Sequence, residues 1–298
     1  MLNCQRGFKG WWKKMKYKSF AVFILTHGRP DNVVTLKTLL KAGYTGKYYL
    51  IIDNEDKKAD QYYRNFGDRV IMFDKKEMSQ RFDTGDYSEE RRSIVYARNA
   101  SFDIAKEIGV DYFLQLDDDY NSFGVRIPRK NALKQYAIKD FDGLCDSMLD
   151  FLEVTGAKTV CFSQGGDHVG GVNGRWRQGL IRKVMNSFFF KTDNPMTFVG
   201  RINEDVNTYT TLGSRGELLL TVTDVILTQL QTQSNEGGMT DIYKLSGTYL
   251  KSFFTVMYMP SAVTVKEMGV ANKRLHHSVK WNNCVPEILP GRLKKGGG

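Results

Sequence analysis

The chain is poor in cysteine, proline and histidine, and it has no long apolar run. Its four cysteines, Cys4, Cys145, Cys161 and Cys284, are scattered, with no Cys-x-x-Cys pair. That spacing excludes a zinc-thiolate site and a disulfide framework, leaving reduced and mostly buried thiols. No stretch approaches the roughly 18–20 apolar residues needed to cross a bilayer. The basic start (Lys9, Lys13, Lys14, Lys16, Lys18) followed by Phe20–Leu25 imitates a signal peptide. The apolar run is too short, however, and His27-Gly28-Arg29-Pro30 stands where a cleavage site belongs. A first core strand in a soluble, cytosolic protein is the better reading. There is no GxxxxGK[ST] loop, no GxGxxG turn after the first strand and no GxSxG elbow, which excludes P-loop, dinucleotide-binding and serine-hydrolase chemistry.

What is present is a basic globular chain. Its 298 residues are 41% apolar and carry 43 basic against 33 acidic side chains, a net charge of +10. The length suits one large α/β domain. The charge favours a polyanionic partner through long-range attraction, with nucleic acid the expected one.

The first 120 residues alternate strand and helix. Phe20–Thr26 is a continuous apolar run, as in a strand covered on both faces. Asp31 or Asn32 can cap the helix that follows, in which Val33, Leu36, Leu39 and Leu40 share one face. Gly43 and Gly46 end it. Tyr48–Ile52 is a second strand, Ala59–Phe66 a helix and Val70–Phe73 a third strand. Residues 75–92 read as a mobile loop, Ser93–Ile108 as an amphipathic helix and Tyr112–Leu116 as a fourth strand. This order means parallel βαβ units, whose ligands lie at the carboxyl ends of the strands. His27, Asp53 and the triplet Asp117-Asp118-Asp119 all fall at such ends. Beyond it, Leu133–Val154 reads as helix, Lys158–Ser163 and Val184–Lys191 as strands, Val206–Leu212 as helix, Glu217–Gln233 as one strand or a hairpin, and residues 240–254 as helix. The fold class is α/β with a mostly parallel central sheet and an irregular C-terminal half. The expected organisation is a basic, aromatic arm (1–18), a nucleotide-binding half (19–125) and an acceptor-side catalytic half (126–295) within one continuous domain. The closing Gly296-Gly297-Gly298 is set aside.

The acidic triplet carries the strongest chemical signal. It follows Tyr-Phe-Leu-Gln-Leu directly, whereas a solvated turn rarely follows a core strand so closely. Magnesium and manganese prefer carboxylate oxygens, and a divalent cation stabilises charge building on a leaving diphosphate.

At these residues the chain resembles glycosyltransferases of the A-type fold. The resemblance is carried by Thr26-His27-Gly28-Arg29-Pro30, Asp53, Arg98-Asn99, the triplet, Glu204-Asp205 and the late histidines. Within that fold it resembles the TET-associated glycosyltransferases of bacteriophages, above all in Phe-Val-Gly-Arg-Ile-Asn-Glu-Asp-Val-Asn (198–207). The resemblance implies transfer of a hexose or pentose from a UDP-sugar, by default UDP-glucose, to 5-hydroxymethylcytosine in DNA, with Mn2+ or Mg2+ and inversion at the anomeric carbon. It implies that Thr26, His27 and Arg29 surround the uridine, that Asp53 meets the base, and that Arg98 and Asn99 reach the nucleotide or its phosphates. Asp117 and Asp118 then lean toward the nucleotide, Asp119 holds the metal, and His276 or His277 adds a late ligand. Asp205 is the base that takes the acceptor's proton, and Glu204 binds acceptor or donor sugar. A helix N-terminus at these two carboxylates is expected to keep them ionised. Arg175-Trp176-Arg177, flanked by glycines, combines cations and a ring as phosphates and stacked bases require. Two rival classes remain open: a glycosyltransferase acting on saccharide, lipid or protein, and a nucleic-acid-binding protein using the same carboxylates for nucleotidyl transfer.

Overall fold

Apolar runs too continuous for a half-exposed strand form the centre of the molecule. The computed structural model describes residues 15–86, 89, 91–174, 186–230, 249–269, 273–286, 288 and 291–293. Strands β1 (Phe20–Leu25), β2 (Lys47–Asp53), β3 (Val70–Phe73) and β4 (Tyr112–Asp117) are all parallel. They are joined by helices α1 (Val34–Lys41), α2 (Ala59–Phe66), the short α3 (Lys75–Ser79) and α4 (Val95–Glu107). Both faces of β1 are covered. Phe20, Val22 and Ile24 pack in one core with α1, α2 and α5 (Phe141–Thr155). Ala21, Phe23 and Leu25 pack in the other with α4 and α6 (Glu204–Ser214).

The sheet continues through β5 (Tyr120–Arg129), β6 (Ala132–Ala137), β7 (Thr159–Ser163), β8 (Ser187–Lys191) and β9 (Leu219–Gln229). The strand order is β3-β2-β1-β4-β8-β7-β9-β5-β6. Among the described residues, only β8 and β5 run against the rest of these nine strands, so the sheet is mixed but mostly parallel. A separate hairpin, β10 (Val263–Met268) with β11 (Arg274–Val279), packs on α7 (Tyr249–Tyr258).

Several elements differ from the sequence reading. Residues 75–79 are helical because Asp74 caps them, accepting a hydrogen bond from the Glu77 amide. Residues 132–137 are a strand, since pairing with β5 outweighs their helical propensity. Glu217–Gln233 contains one strand and no hairpin turn among its described residues. Val33 stands at the cap of α1; Asp31 instead accepts from Gln61, and Asn32 from Lys37. Among the described residues no helix is long and apolar enough to cross a membrane. The described end of the arm is pinned to α5, with the Tyr17 hydroxyl donating to Asp150 at 2.7 Å.

Candidate active site

Register brings the functional ends together. Leu25 pairs with both Ile51 and Asp117, so β1, β2 and β4 stop side by side. Above them opens a cavity of about 350 Å3, lined by residues 26, 27 and 29, Asp53, the acidic triplet and Glu204. That lies within the roughly 300–1,000 Å3 range of small-molecule sites.

The triplet is not one functional unit. Asp118 is buried with both oxygens engaged: Thr26 Oγ1 donates to Oδ2 at 2.7 Å and the Thr35 amide to Oδ1 at 3.3 Å. A chain of hydrogen bonds runs on, with Tyr62 OH 2.8 Å from Thr26 Oγ1 and accepting from the Arg29 amide at 2.8 Å. Thr35 Oγ1 donates to the Asp117 carbonyl at 2.6 Å and accepts from the Tyr120 amide at 2.9 Å. These bonds lock the turn and leave Asp117 and Asp119 to the cavity. Asp119 Oδ1 is buried without a hydrogen-bond partner among the described residues.

Beneath the floor lies Arg98, 1% exposed. It contacts Asp117 at 2.9 Å and donates from Nε to Glu204 at 3.0 Å. Its own carbonyl accepts from Gln115. The expectation that Arg98 reaches the donor's phosphates is therefore corrected: its charge is consumed by two carboxylates under the cavity. Asn99 likewise exchanges hydrogen bonds with the backbone of Phe198, at 3.0 and 2.8 Å, so its amide is spent on holding the segment before α6.

The second wall is built on Asp53. His27 Nδ1 lies 2.9 Å from Asp53 Oδ2, and Lys75 Nζ 3.2 Å from the same oxygen. Burial pushes Asp53 up, but the His27 hydrogen bond and the Lys75 charge outweigh it and hold this carboxyl below its ordinary value. Sequence reasoning missed Lys75 because it was assigned to a loop; the Asp74 cap was the available signal.

The carboxylates facing the cavity shift the other way. Burial pushes Asp117 up to about 7 against the pull of Arg98, with Asp119 and Asp205 adding repulsion. Burial raises Asp119 to about 6, partly offset by Arg29. Asp118 also rises to about 6 through burial, eased by its Thr26 bond. Glu204 is pushed up to about 7 by burial, against Arg98 and with Asp205. The helix start therefore does not keep Glu204 in the usual carboxylate range, because desolvation outweighs the dipole.

Glu204 and Asp205 form the first turn of α6, whose entry is set by two left-handed residues, Gly200 (φ +81°) and Asn203 (φ +55°). A side chain at Gly200 would collide with Asn207 and Tyr258. Asp205 Oδ1 accepts from the Val206 amide at 2.8 Å. Asn203 donates to the Lys251 carbonyl on α7 and lies 3.5 Å from His277 Nδ1, so β11 runs beside the α6 entry. His276 turns its Nδ1 onto the His277 carbonyl at 2.6 Å.

Among the described residues no three carboxylate, imidazole or thiol groups are placed to hold a metal ion between them, so Asp119 and the two histidines do not form a closed metal cage. The residues present nonetheless fit a hard divalent cation. Asp119 presents an orphaned buried oxygen, and Asp117 Oδ1 touches Arg98 without a hydrogen bond. Magnesium-type sites commonly use one or two carboxylates and complete their shell with substrate phosphates. Arg175, Trp176 and Arg177 lie outside the described residues, as do the arm residues before Met15.

An α/β sheet with paired carboxylates at the carboxyl end of its fourth strand has the A-type glycosyltransferase arrangement implied by the resemblance. The TET-associated glycosyltransferase family model matches residues 20–238, and the chain belongs to that family; it is a glycosyltransferase. No curated protein sequence matches it. Similar solved structures include glucosyl-3-phosphoglycerate synthase from Mycobacterium tuberculosis, crystallised with Mn2+, UDP-glucose and phosphoglyceric acid. One such structure is 11% identical with a TM-score of 0.47, covering 87% of this chain and 86% of that one. Another, described as a mycobacterial protein, is 11% identical with a TM-score of 0.43, covering 88% and 84%.

Proposed function

We propose that this glycosyltransferase moves a sugar from a UDP-sugar, by default UDP-glucose, to the hydroxyl of 5-hydroxymethylcytosine in DNA. The observation that carries the donor half is the cavity at the ends of β1, β2 and β4, with Asp53, Asp117 and Asp119 in its lining and a buried Asp119 oxygen without a hydrogen-bond partner among the described residues. The acceptor half rests on family membership and the +10 charge. Thr26, His27 and Arg29 flank the nucleotide, and Asp53, held by His27 and Lys75, accepts from the base. Asp118 sets the turn that aims its two neighbours.

Asp117 and Asp119 would hold a divalent cation, Mn2+ or Mg2+. Of the two histidines, His277 is the nearer candidate for a further ligand, because it meets Asn203 at the cavity wall. When bound, the cation neutralises charge on the leaving diphosphate. Asp205 acts as base, taking the proton of the acceptor hydroxyl as that oxygen attacks the anomeric carbon from the face opposite the leaving group. Glu204, anchored by Arg98, orients a sugar hydroxyl.

The test is incubation of the protein with hydroxymethylated DNA, Mn2+ and a panel of UDP-sugars, followed by mass spectrometry of the nucleosides. A hexose or pentose increment on hydroxymethylcytosine is expected. UDP release with no increment on any nucleoside would move the acceptor to another class; turnover of nucleoside triphosphates instead would overturn the sugar-transfer chemistry.

A further inference from the structure

Arg201 was assigned no role by the sequence pattern, yet its surroundings are those of a built binding group. It lines the cavity, is 7% exposed, and follows the left-handed Gly200. Its backbone is clamped on both sides: the amide donates to the Thr84 carbonyl at 2.9 Å and the carbonyl accepts from Ser93 Oγ at 2.7 Å. Its Nε lies 2.9 and 2.8 Å from the two oxygens of Asp86, which fixes the guanidinium plane. The Nη1 nitrogen has less than 1 Å2 of accessible surface and no hydrogen-bond partner among the described residues.

A buried, unsatisfied guanidinium nitrogen is costly, and its retention in a cavity wall points to a ligand that satisfies it. The other cations of known geometry here each hold a carboxylate or a carbonyl, although Arg29 Nε and Arg98 Nη1 are likewise buried without a hydrogen-bond partner among the described residues. Lys75 serves Asp53, and Arg29 Nη1 donates to the Asp118 carbonyl at 3.2 Å. Arg98 is buried below and bridges Asp117 and Glu204. Arg201 thus offers a fixed positive edge to an anion in the cavity, and planar N–H donors match phosphate oxygens in particular.

We infer that Arg201 contacts the diphosphate of the donor through the Nη1 side of its guanidinium, with Asp86 as the positioning residue; this rests on the nucleotide-sugar reading above. When the glycosidic C–O bond breaks, its electron pair stays on the β-phosphate oxygen. The acceptor oxygen bonds to the anomeric carbon and the acceptor proton passes to Asp205. The diphosphate therefore gains one negative charge in the step. A guanidinium already locked in place stabilises that charge without reorganising. The same phosphate chemistry is offered by the backbone of an acceptor DNA, and the test separates the two sources.

Titration calorimetry of the full chain with Mn2+ compares uridine, UDP and hydroxymethylated duplex DNA as ligands. In Arg201→Gln, UDP affinity is expected to fall roughly ten- to hundredfold, as for loss of a charged hydrogen bond, with uridine affinity unchanged. Arg201→Lys should recover part of the loss. Asp86→Asn should show a smaller loss of the same selectivity, which preserves the test if the glutamine variant does not fold. Equal losses for uridine and UDP, or unchanged UDP affinity, would overturn the assignment; a loss confined to DNA would move the contact to the acceptor's phosphates. Wild-type binding of uridine and UDP is the separate check on the donor. Preference for another nucleoside diphosphate would revise the base but leave Arg201 testable with that ligand, and a wild type that binds none would overturn both readings.

Discussion

Arg98 Nη2 lies 2.9 Å from Asp117 Oδ1, and this contact under the cavity floor ties the end of β4 to α4. The same guanidinium donates to Glu204, so one buried cation holds two elements of the site in register. Removing it leaves two buried carboxylates without compensation. Arg98→Met should cost about 3–5 kcal/mol of unfolding free energy in urea denaturation. A cost below about 1 kcal/mol would mean that the bridge is energetically idle.

Asp119 has the opposite character. Its orphaned oxygen and its rise to about 6 mark a carboxylate that the fold does not need charged. Asp119→Asn is expected to abolish Mn2+-dependent sugar transfer while leaving the melting temperature of the metal-free protein unchanged or higher. Full activity in this variant would remove Asp119 from the reaction.

Asp205 is expected to act on rate rather than on donor binding. Asp205→Asn should lower kcat by about 100- to 10,000-fold, the usual range for a positioned acid or base, with UDP affinity retained. A drop in UDP affinity with kcat intact would reassign the residue to the donor side.

Asp53 gives a pH signature of stability. Its folded-state carboxyl is held below its ordinary value despite burial, so the folded protein binds this proton less readily than the unfolded chain. The stabilisation from its His27 and Lys75 contacts is therefore fully present above about pH 4–5 and is lost as pH falls through the depressed value. Asp53→Asn should be less stable than wild type at pH 7, and the gap should close in acid below pH 4. Denaturant melts at stepped pH check this; a gap independent of pH would attribute the loss to packing.

DNA binding should weaken steeply with salt, the log–log slope being about −0.9 per phosphate neutralised. Filter binding between low and high salt measures it. A flat response would separate the net charge of +10 from the acceptor.

Much of this architecture was legible in the residues. Phe20–Leu25 is a continuous apolar run and Tyr112–Leu116 one broken only by Gln115, each ended by polar residues, and that pattern places His27, Asp53 and the triplet at one sheet edge. The β5–β6 and β10–β11 hairpins were not legible, because pairing partners stabilise them more than local propensity does.

Local pattern also could not say where each carboxylate points. Three consecutive aspartates look alike in sequence, yet Asp118 is held by Thr26 and Thr35 while Asp119 is left open. Arg98 reads as a polar position on an amphipathic helix, but packing buries it between two acids. Arg201 lies within the segment that carries the resemblance but shows no role there until Asp86, far away along the chain, fixes its guanidinium. The order of strands and helices follows from near-neighbour chemistry along the chain. Side-chain direction, burial and charge pairing depend on contacts between residues about 20 to more than 100 positions apart, and these exist only once the sheet has assembled.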